Sequence, residues 1–401
     1  MMVALSIVGV GVLAQVHLRG GEVTPAGEVI AVDSPGIVLG PPPGTMVISW
    51  DRVRTVDGSW AEKSAPFLSI AEQAWRARTR LERGDPLSAE PLFEKLFVEY
   101  RGKQGPTASV IAEGLMRCRL RRAAHVAAID PWLAFLVAST PATVPALHPA
   151  WASEAGLAPS MDTATGLVPA LPPIWLAWPS VEAFARQSGA EVYKNPKAAA
   201  LAALYELSAR FECGQSVQVP GAAMNDPGVQ VVRDIVVSRI GDQEQRAAAR
   251  KALEDRVRSA GSLGAAAAAN PVPSWLEAWC RAAIGRSLLR EDSAEQKKLG
   301  VVELLNIPAR FGVLHPYLAG MALAESSVAL RGVGDSVGAD ILARELMEKF
   351  PSHPVLDWPL FRAAAPARAA VSTRPAEPKP VVPEQPPAPE TAKPKQDATP
   401  K

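Results

Sequence analysis

Gly334-Asp335-Ser336-Val337-Gly338 is the one stretch of the chain that spells a catalytic motif. Gly-x-Ser-x-Gly can lift a serine hydroxyl onto a sharp strand-to-helix turn, where a histidine and an acid activate it for acyl transfer. The surroundings of Ser336 do not supply those parts. The lead-in from Pro316 has helical spacing, His353 is the only histidine downstream, and Asp340, Glu345 and Glu348 share one helical stretch with the serine. Read without chemistry, glycine ends one helix at positive φ and aspartate caps the next. The remaining histidines, His17, His125, His148 and His315, have no partner four residues away and no cysteine at ligand spacing, so no metal site is assigned. Cys118, Cys213 and Cys280 are odd in number and widely spaced, which suits buried free thiols. Arg117, Arg119, Arg121 and Arg122 are a candidate phosphate grip, but Met116, Cys118 and Leu120 interleave with them, and a solvated helical face is expected. Gly9-x-Gly11-x-x-Ala14 touches the dinucleotide fingerprint, yet no helix follows. No catalytic, cofactor or metal residue is assigned, and the chain is read as not an enzyme.

The elements that would position such residues are mostly helices. Ala77, Leu81, Ala89, Phe93, Leu96, Phe97 and Tyr100 recur three and four apart on two segments hinged at Gly84-Asp85-Pro86. Pro91 falls inside the second segment and is expected to kink it. Ala339, Ala343, Leu346 and Phe350 repeat the offsets of Ala89, Phe93, Leu96 and Tyr100 behind Gly334-Asp335, and Pro351 stops the helix.

Ala77, Gly84, Ala89 and Phe93 in one copy, and Gly334, Ala339, Ala343 and Pro351 in the other, resemble a degenerate tetratricopeptide repeat. The resemblance implies stacked antiparallel helix pairs and a groove that binds a protein or peptide. One helix pair cannot bury its own apolar stripe, so neighbours must stack.

The organisation along the chain follows. Residues 1–14 are uncharged and mostly apolar and read as a signal peptide, too short to span a bilayer. Residues 15–60 alternate with period two between turn signals and read as a small antiparallel β-barrel, similar in outline to Sm-like or SH3-like barrels. Arg19, Arg52 and Arg54 are read there as solvated strand-face residues. A linker is expected over 61–68 and helical hairpins over 69–129, ending with a helix from Thr107 to Val126.

Residues 130–179 hold Trp132, Trp151, Trp175 and Trp178 among many prolines and read as an extended insert. An apolar loop of this length must pack against something. It either plugs the groove of its own array or offers a tryptophan-rich docking surface; plugging is the reading adopted. Helical hairpins resume over 180–364, where Gly285 and Gly300 are placed for close helix contact. Residues 365–401, rich in proline and mixed charge, read as a disordered tail, either a spacer or a proline-rich ligand.

The fold class expected is therefore mainly α, a small β unit followed by an α-α hairpin array. A net charge of +1 over 401 residues gives no basic excess for nucleic acid. The function expected is a non-catalytic scaffold of the cell envelope that takes a protein or peptide partner in its helical groove. The alternatives are a serine hydrolase using Ser336 and a structural envelope spacer; cytoplasmic residence is the alternative location.

Overall fold

A computed structural model describes residues 15–21, 27–40, 44–139, 160–186, 193–219, 221, 224–261 and 273–364. The signal segment over 1–14, residues 140–159 of the insert and the tail over 365–401 lie outside the described residues.

The N-terminal unit has five short strands: β1 (Val16–Leu18), β2 (Glu28–Asp33), β3 (Gly36–Gly40), β4 (Met46–Ile48) and β5 (Val53–Val56). They do not close into the expected barrel. β2, β3 and β4 form one antiparallel sheet, and β1 pairs with β5 in another. The reason lies in the tight turn Trp50–Arg52, which separates β4 from β5 and packs on a helix instead of a strand. Trp50 stacks on Phe67 at 4.9 Å and donates its indole N–H to the Asp33 carbonyl at 2.8 Å. Val16, Val29, Ile37, Leu39, Ile48 and Trp50 share their core with Ala71. A helix thus covers the apolar face that closure would otherwise have hidden.

That helix is α1 (Ala61–Glu82), and it absorbs the linker expected over 61–68. Pro66 removes one N–H from its second turn, but Phe67, one residue on, is anchored on Trp50. Then come α2 (Pro86–Tyr100), α3 (Pro106–Arg121), α4 (His125–Ala138), α5 (Pro179–Ala185), α6 (Pro196–Glu212), α7 (Pro227–Ile240) and α8 (Gln243–Gly261). The series ends with α9 (Ser274–Leu288), α10 (Ala294–Phe311), α11 (Pro316–Gly332), α12 (Ser336–Lys349) and α13 (Pro359–Ala364). α2 runs through Pro91. α4 takes the first nine residues expected in the insert.

Successive helices pack as pairs, and α7, α9 and α11 also touch in steps of two. α9 and α11 are buried over most of their surface, whereas α12 buries a single stripe. Close approach of α9 and α10 needs both glycines: a Cβ on Gly285 would stand 2.8 Å from the Gly300 carbonyl, and the reverse distance is the same.

The corner that joins α1 to α2 recurs between α11 and α12. Gly84 and Gly334 have φ of 82° and 90°. In each corner the glycine N–H bonds the carbonyl three residues back, and the next aspartate N–H bonds the carbonyl five back. Asp85 then accepts from Ser88 N–H at 3.0 Å, and Asp335 from Gly338 N–H at 2.8 Å. The same bonds close α3 at Ala123 and Ala124, but there an alanine holds φ 59°.

The apolar part of the insert is threaded into the array, as the plugging reading expects. Leu167, Val168, Leu171, Ile174, Trp175 and Leu176 are all 1% exposed or less. Its carbonyls are met by side chains from four helices. Trp132 of α4 bonds Gly166 at 3.0 Å, Ser208 of α6 bonds Pro173 at 3.0 Å, Trp279 of α9 bonds Pro169 at 3.2 Å and Arg286 of α9 bonds Trp175 at 2.8 Å. The hydroxyls of Tyr205 and, at 3.5 Å, Tyr317 of α11 bond Leu171 and Ile174. Buried backbone outside helix or sheet must find partners elsewhere. Pro169, Pro172 and Pro173 have no N–H to satisfy, and the ring of donors serves the carbonyls.

Candidate binding grooves around a buried histidine–tyrosine stack

Tyr317, in the first turn of α11, packs its ring against two buried histidines. Its ring stacks on His125 at 3.7 Å between centroids and on His353 at 5.5 Å, while Trp178 meets it edge-on at 6.4 Å. His353 Nδ1 accepts the Val355 N–H at 3.1 Å, so its Nε2–H donates to the Tyr317 carbonyl at 2.8 Å. His125 Nδ1 lies 3.0 Å from the Ala123 carbonyl and is its donor, which leaves Nε2 as an acceptor. Burial pushes both imidazoles down to about 4, so both are neutral near pH 7. Gly320 makes room for the stack, since a Cβ there would stand 2.5 Å from the His353 ring.

Two grooves open beside the stack and share Ala123, His125 and Pro354. The first, about 610 Å³, lies among α4, α5 and α6. Ile129, Leu133, Trp178, Phe184 and Ala202 give it apolar walls. Asp130 sits on its rim, bonded to Arg101 at 2.9 Å and to the Tyr193 hydroxyl. Burial, and then the negative charge of Asp130, push the Tyr193 phenol up. Ser180, also on the wall, accepts the Trp178 indole N–H at 2.8 Å. The second groove, about 360 Å³, lies where the start of α11 and the end of α12 meet the threaded segment.

Below the stack, a charged cluster locks α6, α7, α9 and α11 together. Glu212 lies 2.8 Å from Arg239 and 3.1 Å from Arg286, and Arg286 reaches Glu325 at 2.8 Å. Burial alone would raise the Glu212 carboxyl, but Arg239 and Arg286 outweigh it and hold the group below its usual range.

Ser336 is the exposed first residue of α12, after the Asp335 cap. Both nitrogens of His353, the histidine that the motif required, are engaged in the core. The arginine run is a solvated face only in part: Arg121 and Arg122 are exposed, Arg117 and Arg119 half-buried, and three of the four are paired with acids. Arg122 makes two bonds to Glu90 at 2.7 and 2.8 Å, Arg119 bonds Glu94 at 3.0 Å, and Arg117 bonds Glu113 at 2.8 Å. The acids that hold Arg119 and Arg122 come from α2, so their pairing was invisible in the run itself. Nor are all three β-unit arginines solvated. Arg52 is buried, and Arg19 pairs with Glu72 at 2.7 Å beneath the Trp75 ring; Arg54 is exposed. Cys118 and Cys280 are buried free thiols, with burial the main cause that pushes each up to about 12; Cys213 is half-buried. Among the described residues no helix is long and apolar enough to cross a membrane.

Sequence reasoning missed His125, Tyr317 and His353 as a group. They come from three separate segments, and no local spacing links them. No family model, no curated protein and no solved structure matches this chain.

Proposed function

We propose that the protein is a non-catalytic scaffold of the cell envelope that takes a protein or peptide partner in the groove among α4, α5 and α6. One observation carries the reading: the array already holds an extended chain, its own segment from Gly166 to Trp178, through side-chain donors onto backbone carbonyls. The larger groove opens where that segment ends at Trp178 and combines apolar walls with a rim of Asp130, Arg101 and Tyr193. Apolar walls with a few fixed polar groups suit recognition of a partner side chain. The paired helices and the Gly-Asp corners favour a degenerate tetratricopeptide-like array. Placement in the envelope rests on the uncharged apolar run over residues 1–14, and the tail over 365–401 is assigned as a spacer.

A photo-crosslinking side chain at Ala183, exposed on the groove wall, tests this in intact cells against one at Val98, exposed on α2. A discrete partner captured from 183 and not from 98 is expected. Capture of the same set from both positions, or of nothing from 183, refutes the groove assignment. Mass spectrometry of the mature N-terminus tests export separately.

A further inference from the structure

The smaller groove is chemically unlike the larger one, and we infer that it is a binding site for a free apolar monocarboxylate. Its volume, about 360 Å³, falls in the range of small-ligand sites and is too small for a folded partner. Pro169, Pro172, Trp279, Tyr317 and Phe350 supply apolar walls. Two lysine and arginine side chains line it, Arg121 and Lys349, and no aspartate or glutamate does, whereas Asp130 and Glu206 line the larger groove.

The cations are available to a ligand. Among the described residues Arg121 has no carboxylate within ion-pair distance, and its one hydrogen bond reaches the Leu81 carbonyl at 3.5 Å. Lys349 pairs with Glu345 at 2.7 Å, but that pair is exposed and screened, so exchange for another carboxylate costs little. His315, on the same wall, has a buried Nε2 with no partner among the described residues. A positive rim without acids, over apolar walls, is the complement of one carboxylate carried on a hydrocarbon body. The site adjoins the groove assigned to the protein partner and shares Ala123, His125 and Pro354 with it, but Arg121, Lys349 and Ala170 line this groove alone, so either assignment can fail without the other.

Calorimetric titration of the full chain at pH 7 with octanoate, and with octanamide as its uncharged counterpart, tests the inference. Octanoate is expected to bind one to one, and octanamide about tenfold more weakly, the worth of a charge-assisted hydrogen bond. Arg121→Gln is expected to weaken octanoate by about the same factor and leave octanamide unchanged. Ala170→Trp, which adds bulk at an exposed position on the groove wall, is expected to abolish both. If the melting curve shows that Arg121→Gln perturbs the fold, Lys349→Gln takes its place with the same expectation. Equal binding of acid and amide, octanoate binding that survives Ala170→Trp, or no binding at all would overturn the inference. So would tighter binding of a short peptide ending in a free leucine carboxylate, which would give the site to a chain terminus.

Discussion

The α1–α2 and α11–α12 hairpins share one corner and differ in what they stack on. At the corner the glycine, the aspartate cap and the backbone bonds are superimposable in kind. Along the stripe they diverge. Phe93 occupies the position that Ala343 holds in the second hairpin, and both are fully buried. The phenylalanine ring fills space left by Gly114 of α3, where a Cβ would stand 2.3 Å from it. A helix turn is therefore specified locally, whereas the size of a stripe residue is set by the neighbour against which it packs.

The largest test of this distinction is Phe93→Ala. It should cost about 3–5 kcal/mol in chemical denaturation, with part of the loss recovered by adding Gly114→Ala. If Phe93→Ala is tolerated like a surface change, the two stripes are not neighbour-matched.

Acid should separate the hairpins next. His125 and His353 both stack on Tyr317, in the first turn of α11. The unfolded chain binds protons on these imidazoles near pH 6.5, and the folded chain only near 4. Their neutral burial therefore contributes stability above pH 6.5 that is lost as pH falls toward 4, on the order of 3 kcal/mol each at most. Hydrogen exchange at pH 5, corrected for intrinsic rates, should expose α11 and α12 before α1 and α2. Equal protection would contradict it.

The third corner sharpens the local half of the comparison. Ala123→Gly should raise stability by about 1 kcal/mol, because alanine carries the left-handed penalty that Gly84 and Gly334 avoid. Asp85→Ala and Asp335→Ala should lower the melting temperature by similar amounts, and unequal losses would mean that the cap depends on its surroundings. Ser336→Ala should move stability by less than about 0.5 kcal/mol, since the side chain is exposed beyond the cap.

What could be read in advance follows the same division. Gly84-Asp85 and Gly334-Asp335 announced their corners, and Gly285 with Gly300 announced a close helix contact, because each signal is contained in a few residues. The α3–α4 corner has no such signal, because Ala123 takes a glycine's conformation without being one; the helix expected from Thr107 to Val126 runs across it, and the last nine residues of α4 fall in the expected insert. α1 begins at Ala61, ahead of the helix expected from residue 69, because Phe67 is anchored on Trp50 and Ala71 packs in the β-unit core, contacts that no local spacing reveals. The expected barrel stays open because α1 covers its apolar face, and no strand pattern encodes a helix docking from outside. The prolines and tryptophans did indicate a buried extended segment. Its six donors, spread from Trp132 to Tyr317, could be matched to carbonyls only once the helices were placed.

That threaded segment bears on how the molecule comes apart. Stacked repeats ordinarily behave as a row of dominoes, each melting with little regard for any but its neighbours. Here one strand of backbone is tied at once to α4, α6, α9 and α11, so fraying at one end releases buried carbonyls at the other. Unravelling in steps is thereby discouraged between α4 and α11, which should stand or fall together, while α1 and α2, which carry none of these bonds, can outlast them.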